Sequence, residues 1–451
     1  MTVRHAPGVV PATDADLAAC AREPIHVPGA IQPHGALLAV DEGSLRVTHA
    51  SANLEEALGR PAAAALGSPL ADVLGAQAVT AILDALATDR FSPGNVLTLD
   101  LPVPRDPRRS VLAHRHDRRI VVEIEPASPA DDGDLAVARA QAVVGALRSS
   151  RSLKSLCDRA TGEIRALTGY DRVMVYRFDA DGHGCVIAED RHPALESYLD
   201  LRYPATDIPA QARRLYLLQR VRVIGRVDYA PVPVLADGAL GADAPLDMTY
   251  AGLRSVSPVH LEYLANMDVG ATLAISLVED DRLWGMVVCH HRSPRVPTPE
   301  LRALADLVGQ LLGLLVGEVE EREAQRDESE RRDLVAVVEA PLKDASSVLD
   351  GLAAAGPSLL RLVEAGGAFL RFGGRTIAVG ATPPLEAADA LFRAAMGTLG
   401  EEIAAIESLA ERAPALAAHA ALASGALALP VAHNPGDGIL WFRPELARTV
   451  R

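Results

Sequence analysis

A cysteine near the amino terminus, Cys20, is a candidate nucleophile. Cys20 begins the segment CAREPIHVPGAIQPHG, which shows no helical or strand periodicity, so we expect its thiol to be accessible. Arg22 lies close by, and its positive charge favours the thiolate, which is the nucleophilic form of cysteine. A thiolate can attack an electron-poor alkene such as a vinyl group. Taken alone, the same position also fits an unreactive cysteine in a flexible terminus.

A cysteine beside a histidine in a predicted strand could also suggest a nucleophile. Cys289 precedes His290 in a predicted strand, where neighbouring side chains point to opposite faces. This geometry argues against a Cys–His nucleophile and predicts that Cys289 packs in the core.

Short strands interrupted by helices predict an α+β domain over residues 20–126, preceded by an extension over residues 1–19. The predicted strands are Ala36–Val40, Val47–Ser51, Val96–Leu101 and a long pair that ends at Ile120–Ile124, and the predicted helices are Ala52–Leu58 and Val79–Leu86. The Pro, Ala and Asp residues of 126–134 predict a linker.

A second α+β domain is predicted over residues 135–316. It opens with a helical pattern through Leu167, and its predicted strands are Val173–Phe178, Cys185–Glu189, Ala271–Val278 and Leu283–His290. Between the two strand pairs we expect a long irregular stretch, Arg191–Asn266. Because such insertions in compact domains are usually functional or disordered, the many aromatic and aliphatic residues here favour a functional one.

A long helix is predicted after the second domain. Thr298 is its candidate N-cap and Pro299 its first residue. Its apolar residues alternate three and four positions apart, as in a coiled-coil seam, at Leu301, Leu304, Val308, Leu311 and Leu315. This spacing predicts a parallel homodimer, and the alternative is that the helix packs on its own domain. The charged residues 317–333 predict a solvated linker helix.

A third domain is predicted over residues 334–451. Its predicted strands are Ala368–Phe372, Thr376–Val379, Gly425–Pro430 and Ile439–Phe442, with helices within Ala387–Leu409. The segment NPGDG, Asn434–Gly438, faintly resembles the ATP-lid box of a histidine kinase. Neither a phospho-acceptor helix before it nor an ATPase fold after it accompanies the motif, so we expect a turn between strands.

The composition narrows the classes of partner and compartment. With 44 basic and 59 acidic residues the net charge is -15, which disfavours nucleic acids and anionic membranes as partners. The sequence has no signal peptide and no run of about 18 apolar residues that could span a membrane. None of the four cysteines forms a CxxC pair, which favours a reducing cytoplasm with buried thiols at Cys157, Cys185 and Cys289.

Four segments together resemble the bacterial phytochromes, light receptors in which PAS, GAF and PHY domains follow one another. They are CAREPIHVPGAIQPHG, RYPATDIPAQARRLY, GLRSVSPVHLEYLANMDVGATLAISL and LWGMVVCHH. The resemblance covers nearly the whole chain, from Cys20 to Arg451. It implies central antiparallel sheets joined by a long helix, a thioether between Cys20 and the A-ring vinyl group of biliverdin IXα, and threading of Ile31 through a lasso of the second domain.

The same resemblance assigns residues around the chromophore. It implies that one propionate is bound by Arg222, Arg254 and Ser257, and that the main-chain carbonyl of Asp207 faces the pyrrole N–H groups. Such an acceptor suits the positive charge of a buried, protonated bilin. His290 is assigned to the D-ring carbonyl. The implied chromophore-binding residues are Cys20, Tyr176, Tyr203, Asp207, Ile208, Pro209, Tyr216, Arg222, Arg254, Ser257, His260, Tyr263, Met267, Thr272 and His290, with no catalytic or metal-binding residue.

Two departures from the family affect the chromophore. Val259 stands where plant and cyanobacterial members carry the cysteine that holds their bilin, and this favours biliverdin over reduced bilins. Thr272 and Ala274 stand where related proteins often carry serines that bind the second propionate. We therefore expect that propionate to depend more on His290, Tyr216 or water.

The third departure concerns the hairpin of the PHY domain called the tongue. Trp441–Glu445 resembles its first arm, and the sequence ends within it. We therefore expect a PHY domain truncated in the tongue, in which Asp207 lacks its family arginine and the far-red state forms poorly or reverts quickly.

The function expected from the resemblance is red and far-red light sensing, in which biliverdin photoisomerises between the Pr and Pfr states and drives a conformational change. No enzymatic activity is expected of this chain. One alternative is a GAF ligand sensor for a cyclic nucleotide or haem, although the sequence lacks a Gly-rich phosphate loop. The other is an enzyme such as a histidine kinase, which depends on the weak NPGDG motif.

Overall fold

The computed structural model describes residues 23–88, 97–103, 107–127, 132–240, 244–399, 403–406, 409, 418–431 and 434–444. The chain forms two compact units, residues 1–320 and residues 321–451, which we call the first and second unit. Cys20 and Arg22 lie outside the described residues. Within the part that is described, no helix is long and apolar enough to cross a membrane.

The strands are numbered in chain order. They are β1 (Ala30–Ile31), β2 (Ala36–Asp41), β3 (Val47–Ser51), β4 (Leu97–Asp100), β5 (Arg108–His116), β6 (Arg119–Pro126), β7 (Arg172–Phe178), β8 (Gly184–Arg191), β9 (Arg202–Tyr203), β10 (Val221–Ile224), β11 (Val232–Ala236), β12 (Ala271–Glu279), β13 (Arg282–His291), β14 (Gly367–Phe372), β15 (Arg375–Gly380), β16 (Ala404–Ile406), β17 (Gly425–Val431) and β18 (Asn434–Arg443).

The helices are α1 (Leu54–Leu58), α2 (Ala62–Ala65), α3 (Leu70–Leu74), α4 (Ala76–Ala87), α5 (Asp132–Arg148), α6 (Leu153–Thr168), α7 (Ala210–Leu218), α8 (Pro258–Asn266), α9 (Pro299–Asp344), α10 (Val348–Ala354), α11 (Gly356–Arg361) and α12 (Leu385–Leu399). The predicted linker over 126–134 is wrong at its end, because α5 already begins at Asp132. The predicted strands and helices of the first domain are present with different ends: α1 begins at Leu54, β4 ends at Asp100, and Val96 lies outside the described residues.

The first sheet has the strand order β1-β11-β3-β2-β6-β5-β4 among the described residues. Its apolar face packs against α1 to α4, and alternation along β2 and β6 sends Leu38, Val40, Val122 and Ile124 into that core. Strand β11 comes from the middle of the sequence and pairs with β3. The expectation of an irregular stretch over 191–266 is therefore wrong in part, because β9, β10, β11, α7 and α8 all lie within it.

The second sheet has the order β10-β12-β13-β7-β8-β9 in the described part of the chain. One face packs on α6 and on the first five turns of α9, where Ile164, Leu273, Val287 and Val308 belong to one buried cluster. The opposite face carries pocket-forming side chains. The sheet is therefore a wall between the helical core and a candidate site.

Ile31 lies against the segment of the second domain that carries Arg254. Its side chain is fully buried among Leu246, Met248, Ala251 and Leu253, which belong to the segment between β11 and α8. Strand β1 pairs with β11, and Ile31 forms a further antiparallel bridge with Arg254. The amino-terminal segment is thus fixed beside the residues predicted to bind the chromophore.

Helix α9 begins as predicted, with Thr298 Oγ1 accepting a hydrogen bond from the Leu301 amide at 3.3 Å. The predicted coiled-coil seam is wrong in its residues. Leu304 and Val308 are buried against the second sheet, and Leu301 and Leu315 pack partly against the same cluster. The alternative, that this face packs on its own domain, describes these residues better.

The second unit contains a sheet with the order β15-β14-β18-β17-β16 among its described residues. Three predictions are wrong here. Trp441 lies in the central strand β18, with its indole buried and its Nε1 donating to the Leu359 carbonyl at 3.1 Å, and Glu445 lies outside the described residues. Ala404–Ile406 is a strand rather than part of a helix. Asn434–Gly438, expected to be a turn, opens strand β18.

Candidate functional site

A cavity of about 580 Å³ lies on the open face of the second sheet. This volume is within the range of sites for small-molecule ligands. Every residue predicted to bind the chromophore lines it, except Cys20, which is outside the described residues. Further lining residues are Glu23, Ile25, Met174, Val186, Tyr198, Thr206, Gln211, Ala212, Leu215, Gln219, Ile224, Ser255, Val256, Val259, Leu264, Ala274, Met286 and Val288.

The alternation of the central strands determines which side chains reach the cavity. In β12, Thr272 and Ala274 line the cavity, whereas Leu273 between them packs in the helical core. In β13, His290 lines the cavity and Cys289 is fully buried in that core. The prediction that Cys289 is a packing residue is therefore confirmed. Burial also raises the pKa of its thiol far above the ordinary range.

Two buried arginines give one end of the cavity its positive charge. Arg222, in β10, donates to the backbone carbonyls of Gly252 and Ser255, each at 3.2 Å, and to that of Arg254. Arg254 donates to the carbonyls of Met248 at 2.9 Å and Thr249 at 2.7 Å. Among the described residues, neither guanidinium forms an ion pair with a carboxylate.

Burial of the two guanidinium groups lowers the pKa values of both arginines. Loss of hydration on burial, followed by the charge of Arg222, lowers the pKa of Arg254 to about 9. Burial likewise lowers the pKa of Arg222. Two cations held close together without an anionic partner disfavour their charged forms, and a carboxylate ligand would relieve that cost. The donor set therefore fits a buried carboxylate.

Two histidines lie on the wall of the cavity. Burial, with a smaller effect from Arg172, lowers the pKa of His290 to about 3, and burial together with Arg222 lowers that of His260 to about 4. Nδ1 of His290 is buried and has no hydrogen-bond partner among the described residues. Both imidazoles are therefore neutral near pH 7, and each can donate or accept one hydrogen bond to a ligand.

A cluster of tyrosines surrounds Asp207 at the other end. Tyr263 donates to Asp207 Oδ2 at 3.4 Å, and the rings of Tyr176 and Tyr203 lie 5.8 Å apart. Burial raises the pKa of the Asp207 carboxyl, and the Tyr263 hydrogen bond opposes that shift. Burial also raises the pKa of Tyr203 to about 12. The aromatic surface suits a flat, conjugated ring, and Asp207 adds a polar group beside it.

Sequence reasoning missed residues that support the site. Ser257 donates its hydroxyl to Glu23 Oε2 at 2.8 Å, and the Glu23 side chain lines the cavity. Arg213 donates to the carbonyls of Ala205 at 3.4 Å and Ile208 at 2.9 Å, and so holds the turn that carries Asp207. Both residues could have been suspected from the sequence, because Glu23 lies close to Cys20 and Arg213 lies close to Asp207.

The Arg254 guanidinium is expected to dominate the binding of a carboxylate in the cavity. Replacing Arg254 with Met should weaken the affinity for a carboxylate ligand, with biliverdin as the probe, by about 10- to 150-fold, because a hydrogen bond to a charged group contributes about 1.5–3 kcal/mol. Fluorescence quenching titration measures this effect. Arg226→Met is the control, because that arginine is exposed and pairs with Asp228. Equal affinity in the Arg254 variant would remove the carboxylate interpretation.

Three family patterns match the chain. The PAS fold matches residues 20–127, the GAF domain matches residues 152–316, and the phytochrome region, PHY, matches residues 332–451. The predicted succession of PAS, GAF and PHY domains is therefore confirmed. The cavity lies within the first unit and is formed mainly by residues inside the GAF match.

Curated relatives carry phytochrome names. A bacteriophytochrome from Xanthomonas campestris pv. campestris is 35% identical over 457 residues, which cover 97% of this chain and 70% of that protein. Cyanobacterial phytochrome B from Nostoc sp. is 35% identical over 440 residues, which cover 96% of this chain and 58% of that protein. The chain thus spans little more than half the length of the cyanobacterial relatives that it matches.

Solved structures agree with the sequence relatives. The crystal structure of a bacteriophytochrome from the photosynthetic bacterium R. palustris superposes with a TM-score of 0.80 at 36% identity, covering 96% of this chain and 87% of that one. The photosensory core module of the Stigmatella aurantiaca phytochrome superposes with a TM-score of 0.76 at 37% identity, covering 96% of this chain and 86% of that one.

Proposed function

The chain belongs to the phytochrome family, and we propose that it senses red and far-red light through biliverdin IXα bound covalently to Cys20. The observation that carries this proposal is the composition of the cavity. One end holds two buried guanidinium groups that lack a carboxylate partner among the described residues, and the other end is aromatic. A linear tetrapyrrole has both features, since it combines propionates with conjugated rings.

The predicted chromophore-binding residues then fall into groups with different tasks. Arg222, Arg254 and Ser257 bind one propionate, and Thr272 contributes its hydroxyl to the second. The neutral His290 holds the D-ring carbonyl. The remaining predicted residues line the rings: Tyr176, Tyr203, Asp207, Ile208, Pro209, Tyr216, His260, Tyr263 and Met267.

When bound, biliverdin supplies a double bond between rings C and D that isomerises on absorbing light. The protein's task is to favour different hydrogen bonds in the two isomers, because light can only shift a balance between states that the protein distinguishes. Asp207 and Tyr263 already share a hydrogen bond beside the aromatic end. We propose that exchange of this bond and of the His290 contact separates the Pr and Pfr states.

Chain connectivity supports Cys20 as the attachment site. Glu23 is the first described residue and its side chain lines the cavity. The three peptide units between Cys20 and Glu23 span at most about 11 Å. Cys185 is the partly exposed thiol of the described residues, and it does not line the cavity. Cys20 is therefore the thiol best able to reach a ligand there.

The attachment is tested by loading the chain with biliverdin, denaturing it and measuring zinc-induced fluorescence of the protein band. We expect a fluorescent band for the parent chain and for Cys185→Ser, and none for Cys20→Ser, since the thiolate is the nucleophile. Mass spectrometry of the intact chain should show the matching gain of one chromophore mass. A fluorescent band that persists in Cys20→Ser would contradict the proposed attachment.

We also propose that the chain forms a parallel homodimer, through residues other than those of the predicted seam. Leu307 and Leu314 are 53% and 74% exposed and lie seven positions apart on α9, so they share one face of the helix. Leu307→Glu with Leu314→Glu should give a monomer by light scattering. Leu235→Glu, an exposed leucine in β11, should leave the mass unchanged. A dimer that survives the double substitution would exclude this face.

A further inference from the structure

A buried glutamate of the first sheet contacts the backbone that carries the arginines. Glu123 lies in β6 and is 3% exposed. Its Oε1 accepts a hydrogen bond from the Leu253 amide at 2.6 Å, and its Oε2 accepts one from the Gly252 amide at 3.1 Å. Both carboxylate oxygens are thus used on consecutive amides, which fixes the plane of this backbone segment.

The carbonyls of the same segment orient Arg222. Gly252 and Ser255 each accept from this guanidinium at 3.2 Å, and the Arg254 carbonyl accepts from it as well. The segment 252–255 therefore lies between the two side chains, with amides on Glu123 and carbonyls on Arg222. A shift of this backbone would move both guanidinium groups, because Arg254 is itself part of it.

Charge gives a second reason to connect Glu123 with the arginines. The negative charge of Glu123 raises the pKa of both Arg222 and Arg254 against the lowering effect of burial. Glu125, two residues along the same strand, is already paired with Arg302 at 2.6 Å. Glu123 forms no such ion pair among the described residues. Burial raises the pKa of the Glu123 carboxyl, and the hydrogen bonds from the Leu253 and Gly252 amides oppose that shift, so the same contacts that fix the backbone also favour the charged form.

We propose that Glu123 is a positioning residue for carboxylate recognition in the cavity. It orients Arg222 and Arg254 through the backbone of residues 252–255. Its negative charge lowers the free-energy cost of keeping both guanidinium groups ionised. The first domain thereby determines how strongly the second domain binds the propionates. This inference rests on the proposed function, since it concerns the binding of the same ligand.

The test compares two ligands that differ only in their carboxylates, biliverdin and its dimethyl ester. The Cys20→Ser background makes binding reversible, and fluorescence quenching gives both affinities. For Glu123→Gln we expect the preference for biliverdin over the ester to fall about tenfold, because one oxygen acceptor and the charge are lost. The affinity for the ester should change less than threefold. Glu123→Asp, which keeps the charge, should retain more of the preference than Glu123→Gln.

Glu125→Gln is the control for the loss of a buried carboxylate on the same face of the same strand, because the oxygens of Glu125 accept from Arg302 and its substitution weakens that ion pair. It should change both affinities equally. Equal loss of both ligands in Glu123→Gln would mean a merely structural role and would overturn the inference. If the parent chain binds neither ligand, the proposed function itself fails. If the parent binds both equally, the arginines do not recognise carboxylates and the inference fails while bilin binding stands.

Discussion

Replacing Arg302 with Leu is expected to lower the free energy of unfolding of the first unit by about 3–5 kcal/mol. Arg302 lies in the first turn of α9, and its guanidinium contacts both carboxylate oxygens of Glu125 at 2.6 Å. Both side chains are nearly inaccessible, at 10% and 4% exposed. The substitution would leave the buried Glu125 carboxylate without its cation. The free-energy cost of an unpaired buried charge is much larger than the net contribution of an intact buried ion pair to stability.

Urea denaturation followed by Trp284 fluorescence measures this effect, in a Trp441→Phe background that leaves the first unit as the only source of signal. Arg115→Leu is the control, because its pair with Glu42 is 42% and 43% exposed and should contribute less than about 1 kcal/mol. The double variant Arg302→Leu with Glu125→Leu should recover most of the loss. An Arg302→Leu variant as stable as the parent would show that Glu125 is hydrated.

Lowering the pH from 7 to 5 is expected to destabilise the ligand-free first unit substantially. His34, His114 and His290 each have a buried ring nitrogen without a hydrogen-bond partner among the described residues. Burial is the main cause that lowers their pKa values, to about 4, 4 and 3. The unfolded chain binds these protons near pH 6.5 and the folded chain does not, so stability is lost as the pH falls from about 6.5 towards 4.

The expected loss is roughly 2 kcal/mol for each of these histidines between pH 7 and pH 5. The same Trp284 fluorescence assay at both pH values measures the total. His114→Gln removes one of the titrating groups outside the cavity, and should reduce the loss by roughly 2 kcal/mol. A variant that loses as much stability as the parent would show that His114 titrates normally in the folded chain.

The start of a helix and the facing of a strand could be predicted from the sequence, because both depend on residues that are neighbours in the chain. Thr298 and Pro299 define the start of α9, and the alternation in β13 places Cys289 and His290 on opposite faces. The membership of the cavity could be predicted as well, although through family resemblance. Spacing alone does not show that Arg222 and Arg254, far apart in sequence, share one end of a cavity.

Features that depend on long-range pairing could not be predicted. Strand β11 was predicted to be part of an irregular stretch. Its strand partner, β3, lies in the first domain, and the sequence does not show that pairing. The apolar spacing of α9 fits both a dimer seam and packing on a sheet, and only the position of the second sheet decides between them. The contacts of Glu123 could not be predicted, because the sequence around a single glutamate in a strand does not show which distant amides will donate to it.

The most direct measurement is the absorption spectrum of the purified chain mixed with biliverdin, before and after red light. The account predicts a strong red band that decreases on illumination while a far-red band grows, and that recovers in the dark or under far-red light. Arg254→Met at the same concentrations should show a weaker band, in line with its lower affinity. A spectrum identical to that of free biliverdin would contradict the account, and the GAF domain would then be a sensor of a different ligand.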